Sequence, residues 1–148
     1  MNKWLLGAVV LMATCCGGGM YFALQSLQAG TEVLKSSGKW VDEQLPPIVK
    51  TWDAEKFAAL AADEFLFNTP KDQIRKKFDV LRQNFGGLVK MEPAKYLGVL
   101  RRTPDFDFVG VHVTADAQFE KKKAKIDLKL KYSKRKFQFA NIQVDEVK

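Results

Sequence analysis

The sequence predicts an α+β fold: an N-terminal membrane helix, then about three helices packed on a curved four-stranded antiparallel meander sheet. Three observations predict it. Residues Trp4 to Leu24 form an uncharged, mostly apolar run. From Glu32 to Phe85 apolar residues recur at threes and fours, and after Gly87 they recur at every second position. Those two periods mark helix and strand respectively. Short polar turns between the alternating runs mean antiparallel hairpins with one wet face, and only the helices can cover the other face. The chain accordingly divides into residues 1–29, a signal anchor or transmembrane helix, and residues 30–148, one α+β domain.

As a helix the first run reaches roughly 30 Å, the thickness of a bilayer's hydrocarbon core. Lys3 is the only charge before it. An uncleaved anchor would keep Lys3 cytoplasmic, set Trp4 and Tyr21 near the two interfaces, and export the rest. Ala13, Gly17, Gly19 and Ala23 include small residues four apart, a spacing through which two membrane helices can approach and self-associate. Two alternatives stay open. Met12-Ala13-Thr14-Cys15 is similar to a bacterial lipid-attachment site, which would lipidate Cys15, and cleavage after Ala29 would release a secreted domain.

The domain's first helix runs on Val33, Leu34, Ser37, Trp40, Val41 and Leu45, with Lys35, Lys39, Asp42 and Glu43 opposite. Pro46 and Pro47 end or kink it, and periodicity resumes through Ile48, Val49 and Trp52. Asp53 is an N-cap for a helix from Ala54 to Phe67 that buries Phe57, Leu60, Ala61 and Phe65. Thr69 and Pro70 read as cap and first-turn proline of a third helix, carried by Ile74, Phe78, Leu81 and Phe85 and stopped by Gly86-Gly87.

Leu88 to Met91 and Lys95 to Arg101 make a first strand, broken at Pro93 and therefore bulged or at an edge. After a turn at Thr103-Pro104-Asp105, a second strand points Val109, Val111, Val113, Ala115, Ala117 and Phe119 inward. Lys121 to Lys123 turn the chain into a third strand with Ala124, Ile126, Leu128, Leu130 and Tyr132 inward. Ser133 to Arg135 turn it again toward Phe137, Phe139, Ile142 and Val144. The step from odd to even positions near Asn141 implies a bulge. Phe137 is placed in the core.

The chain of 148 residues carries a formal charge of +7, and nearly all of it lies beyond the apolar run. A basic surface attracts anionic lipid or nucleic acid, or is simply well solvated where acids are interleaved, as here. Both cysteines, Cys15 and Cys16, lie inside the apolar run, so the domain has no disulfide, no thiol catalyst and no Cys/His zinc site. A cysteine-free domain suits an oxidising compartment such as a periplasm.

The C-terminal half resembles the nuclear-transport-factor-2-like superfamily, also called cystatin-like or SnoaL-like. Phe119-Glu120-Lys121, Ala124-x-Ile126-x-Leu128-x-Leu130 and Lys136-Phe137-Gln138-Phe139-Ala140-Asn141-Ile142-Gln143-Val144 look like its final hairpin, with Phe137 standing where many members have Trp. The resemblance covers roughly residues 53–147 and is greatest to small membrane-anchored bacterial members of unknown function. It implies a cone of helices on a curved sheet. A periplasmic assembly factor of type IV secretion machines is built similarly, which concerns architecture rather than role.

Enzymes of that superfamily, such as the ketosteroid isomerases, need a desolvated carboxylate and an inward Tyr or Asp. Here the inward positions are aliphatic and aromatic, with Tyr132 near a strand end. Asp116, Asp127, Glu120 and His112 alternate outward, and Asp107 is the one acid whose phase could turn it inward. Tyr96 and Tyr132 read as rim or core aromatics. No phosphate-cradling glycine loop is present. No catalytic residue, cofactor or metal ligand is therefore assigned.

The remaining candidate is the basic hairpin. Lys121, Lys122, Lys123, Lys125, Lys129 and Lys131, with Lys134, Arg135 and Lys136 in the next turn, form a candidate contact for an anionic surface, either lipid headgroups or an acidic partner protein, or they simply protect an exposed strand from aggregation. Their face lacks the aromatics that stack single-stranded nucleic acid, so nucleic acid is not an expected partner. The expected function is a membrane-tethered, non-catalytic binding or scaffolding domain facing the periplasm or exterior. It would be held at a bacterial inner membrane by residues 4–24 and recognise a partner protein. The alternatives are a carrier of a small apolar ligand in the helix–sheet pocket and, as a minor one, a ketosteroid-isomerase-like enzyme.

Overall fold

A computed structural model describes residues 31–102 and 109–148. The anchor, Cys15, the turn at Thr103-Pro104-Asp105 and Asp107 lie outside the described residues. Among the described residues no helix is long and apolar enough to cross a membrane. The elements from Ser37 onward are α1 (Ser37–Gln44), α2 (Pro46–Val49), α3 (Ala54–Ala59), α4 (Asp63–Asn68), α5 (Lys71–Phe85), β1 (Leu88–Met91), β2 (Lys95–Arg102), β3 (Val109–Phe119), β4 (Lys123–Ser133) and β5 (Lys136–Glu146). The fold is α+β, as the sequence predicts, with five strands in one curved antiparallel sheet.

The prolines after α1 kink the chain without stopping it. Leu45 stays helical, its N–H bonds Val41 O at 2.9 Å, and Pro46 opens α2, where no amide donor is needed. Ser37 and Gly38 let α1 approach the sheet edge, because a Cβ on Gly38 would stand 2.8 Å from Ala94 O. α2 closes in a Schellman-type stop: Asp53 N–H reaches back to Ile48 O at 2.9 Å while Trp52 adopts φ 55°. Glycine usually fills that position; here the tryptophan is held by its surroundings. Its Nε1 donates to Gly86 O at 2.7 Å, and its ring stacks on Phe119 with centroids 5.2 Å apart. Asp53 then caps α3, accepting from the amides of Glu55 and Lys56 at 3.1 and 3.0 Å.

The single helix expected over Ala54 to Phe67 is two helices. Between them Leu60 O accepts from Phe139 N–H, and Ala62 N–H donates to Phe139 O, both at 2.8 Å. The backbone groups there bond to β5 instead of continuing the helix. Thr69 is likewise no N-cap: its amide closes α4 on Phe65 O at 2.8 Å, and α5 begins at Lys71 after Pro70. Gly86, at φ 77°, ends α5 as expected.

β3 pairs with β4 along its whole length and β4 with β5, while β1 and β2 lie along the other side of β3. Five strands replace the expected four because Pro93 divides the edge strand. The gap is satisfied by two hydrogen bonds, Glu92 N–H to Asp116 O at 2.8 Å and Ala94 N–H to Asp42 Oδ1 at 2.7 Å. The register of β4 and β5 skips Ala140, so the bulge expected near Asn141 is present. Inward residues of β3, β4 and β5 alternate up to that bulge, and Val111, Val113, Ile126, Leu128, Leu130, Phe139 and Ile142 are buried.

The core on this face is largely aromatic. Phe57 stacks on Phe139 (4.9 Å, 18°) and meets Phe78 edge-on at 5.2 Å, and Phe78 in turn meets Trp52 at 5.7 Å. Phe137, placed in the core by alternation, is only half-buried: it lies beside the β4–β5 turn at the end of the sheet, with Trp40 and Tyr132 against it. Phe139→Ala should therefore cost about 3–5 kcal/mol and Phe137→Ala only about 1–2 kcal/mol. Urea-unfolding midpoints check this; equal losses would contradict the assignment of Phe139 as the central ring.

Candidate interaction surfaces

The six hairpin lysines do not form one patch. Lys121 Nζ caps α5 by donating to Gln83 O at 2.6 Å, and Lys122 pairs with Glu146 at 2.8 Å. Lys131, with its side chain 16% exposed, pairs with Glu64 on α4. Lys123, Lys125 and Lys129 remain exposed on β4. Three of the predicted anion-contact residues, Lys121, Lys122 and Lys131, are thus occupied in holding the fold together. Glu120, in the same turn, also works inward. Its Oε2 accepts from Gly87 N–H at 2.9 Å, and its own amide donates to Gly87 O at 3.0 Å. The turn is thereby clasped to the end of α5.

His112 lies on the outer face of the sheet, as its phase predicts, and its ring is paired. Its Nε2 lies 2.8 Å from Asp127 Oδ2, with both side chains about one-third exposed or less. The register sets His112 opposite Lys129 and Thr114 opposite Asp127, so the pair is diagonal across β3 and β4. Thr114 is buried and donates its hydroxyl to Ile126 O at 3.2 Å. Asp116 is exposed and 3.9 Å from Lys95. Tyr132 is half-buried against Phe137, with ring centroids 4.8 Å apart. Among the described residues no group of three or more His, Cys, Asp or Glu side chains is placed to hold a metal. Two open grooves have volumes of about 460 Å³, between α4 and β5, and about 450 Å³, beside α1 and β1.

One surface escaped the sequence pattern, and a second was legible there only by its charge. The first is the outer edge of the sheet. β2 pairs only with β3 among the described residues, and its register slips at Leu97 and again at Leu100. These bulges leave Leu97, Val99 and Leu100 exposed at 53%, 38% and 51%. The consecutive apolar residues Val99-Leu100 in a strand of poor alternation were the available signal. The second surface is the β4–β5 turn, where Lys134 and Arg135 have φ values of 51° and 61°. A two-residue hairpin of this kind favours Asn-Gly, and non-glycine residues there are strained. Beside it Trp40, Tyr132 and Phe137 form a half-exposed aromatic cluster, with Trp40 and Phe137 centroids 5.9 Å apart.

Comparison with known proteins finds no matching family model and no curated relative.

The strained turn makes a direct prediction. Lys134→Asn combined with Arg135→Gly should raise stability by about 1–2 kcal/mol, read as a higher urea midpoint. No gain would contradict the left-handed geometry. Glu64 makes a second prediction. The hydrogen bond from Lys131 is the main cause holding its carboxyl below the ordinary carboxylate range. A folded-state pKa lower than the unfolded one gives stability that is complete above the unfolded value, about 4.3, and is lost as pH falls through the folded value. Glu64→Gln should therefore flatten the acid limb of the stability–pH curve, read from urea midpoints across that range.

Proposed function

We propose that this chain is a membrane-tethered, non-catalytic binding or scaffolding domain that recognises a partner protein through the β2 edge. The carrying observation is that edge: a strand that, among the described residues, is paired on one side only and presents Leu97, Val99 and Leu100 to solvent. Soluble domains normally blunt a sheet edge with charge, proline or a covering element, and an apolar one is a template for added strands. Lys95, exposed beside the apolar positions, would favour a partner segment with an acidic flank. The helix–sheet interior supports binding at the surface rather than within it. Phe57, Phe78, Phe119 and Phe139 are fully buried there and fill the described part of the space in which a carrier would hold its ligand.

Residues Trp4 to Leu24 support the tether, and the cysteine-free domain supports export to a periplasm or cell exterior. The arrangement of helices on a curved antiparallel sheet accommodates the resemblance to the nuclear-transport-factor-2-like superfamily. Tethering would raise the domain's local concentration near partners in the same membrane.

A photo-crosslinking residue at Leu97, with a control at Lys125, tests this in the native membrane. Position 97 should yield one discrete adduct that Val99→Asp abolishes, and position 125 should not yield it. Indistinguishable adducts from both positions, or an adduct insensitive to Val99→Asp, would overturn the proposal.

A further inference from the structure

We infer that the tip of the β4–β5 hairpin is a docking surface for anionic phospholipid, so that the domain rests against the bilayer that tethers it. This rests on the tethered reading above. Three observations carry it. Lys134, Arg135 and Lys136 are consecutive, exposed and basic. Two of them adopt the left-handed backbone that side chains of their type normally avoid, where Asn-Gly would form the same turn without strain. Strain retained at an exposed turn by two cations points to a use for those cations. Immediately behind them Trp40, Tyr132 and Phe137 are half-exposed and in ring contact. Basic groups ahead of amphipathic aromatics match the chemistry of a bilayer interface, where phosphate meets acyl chain.

Chain connectivity permits the contact. Twelve residues separate Leu24, the end of the apolar run, from Ser37, the start of α1. They span at most about 45 Å extended and about 20 Å as helix. Trp40 lies one turn into α1, with its ring on Phe137 and Phe139, so the first helix after that segment packs against the aromatic residues behind the tip. β2 also ends, at Arg101 and Arg102, on this end of the sheet, opposite Gly110 and Val109. The β3–β4 turn is at the other end, and its lysines are not part of the surface.

The test uses the full chain in proteoliposomes, with Cys15→Ser and Cys16→Ser and a nitroxide on Ser133→Cys. Electron paramagnetic resonance reads the label's access to an aqueous nickel complex. Access should be low in vesicles containing phosphatidylglycerol and high in pure phosphatidylcholine. High salt should restore it, because the attraction is screened. Each basic residue near an anionic surface contributes about fivefold to the docked population, so Lys134→Asn with Arg135→Gly should weaken docking about thirtyfold. The same variant should melt no lower than the parent, which separates lost docking from lost folding. Equal nickel access in both vesicle types, from a chain that resists alkaline carbonate extraction, would overturn the docking inference and leave the tether standing. Extraction of the chain by carbonate would overturn the tether and the inference with it. Restricted access found only in native membranes, and not in phosphatidylglycerol vesicles, would reassign the tip to an acidic protein and overturn the lipid proposal.

Discussion

Phe139 joins the two layers of this domain by both its side chain and its backbone. Its ring lies at the centre of the buried aromatic cluster, between Phe57 of α3 and Trp40 of α1. Its N–H and C=O point away from β4 and bond Leu60 and Ala62, on the chain between α3 and α4. Neither arrangement would hold without the bulge at Ala140. Removing one residue there would shift the phase of β5, turning either Phe139 or Ile142 out of the core. As the outer strand among the described residues, β5 also presents the backbone pair of Phe139 at its edge, and the helical layer uses that pair to close the edge. A strand residue thus meets a helix break nearly eighty positions earlier in the chain, at Leu60–Ala62.

The two sides of the sheet meet solvent differently. At β5, backbone groups are taken up by Leu60 and Ala62, and Lys77 of α5 donates to Ile142 O at 2.8 Å. At β2, bulges turn leucines outward and no described strand covers them. A protein that closes one edge with hydrogen bonds and leaves the other apolar has an asymmetric surface, and in aqueous surroundings such an edge favours association. The hairpin tip departs from the simplest folding solution in another way. It keeps lysine and arginine where glycine and asparagine would relieve the backbone. Stability is conceded at both places while the interior is closely packed, a distribution expected when binding surfaces are maintained separately from the core.

Much of the fold was legible in the sequence. The phase of β3 and β4, the odd-to-even step before Ile142, the Asp53 cap and the Gly86 stop each depend on local chemistry, and each is present. What local pattern could not show was competition from distant residues. The helix from Ala54 breaks because Phe139 is there to bond with, although Leu60-Ala61-Ala62 is helix-favouring on propensity alone. Trp52 adopts a glycine's conformation because Gly86 and Phe119 hold it. Lys121, Lys122 and Lys131 resembled a solvent-facing cation stripe, but a helix end and two carboxylates claim them. The basic charge of the β4–β5 turn was legible, but its strain and the exposed β2 edge were hidden because bulges and backbone dihedrals leave only weak traces in residue order.

Native-state amide hydrogen exchange tests the role of Phe139 most directly. If its backbone holds the helical layer to the sheet, the amides of Phe139 and Ala62 will exchange together, and only through global unfolding. Their opening free energy would then match that of the buried β4 amides. Fast exchange at Ala62 while β4 stays protected would contradict the account, because α3 and α4 would then be opening from the sheet without disturbing its core.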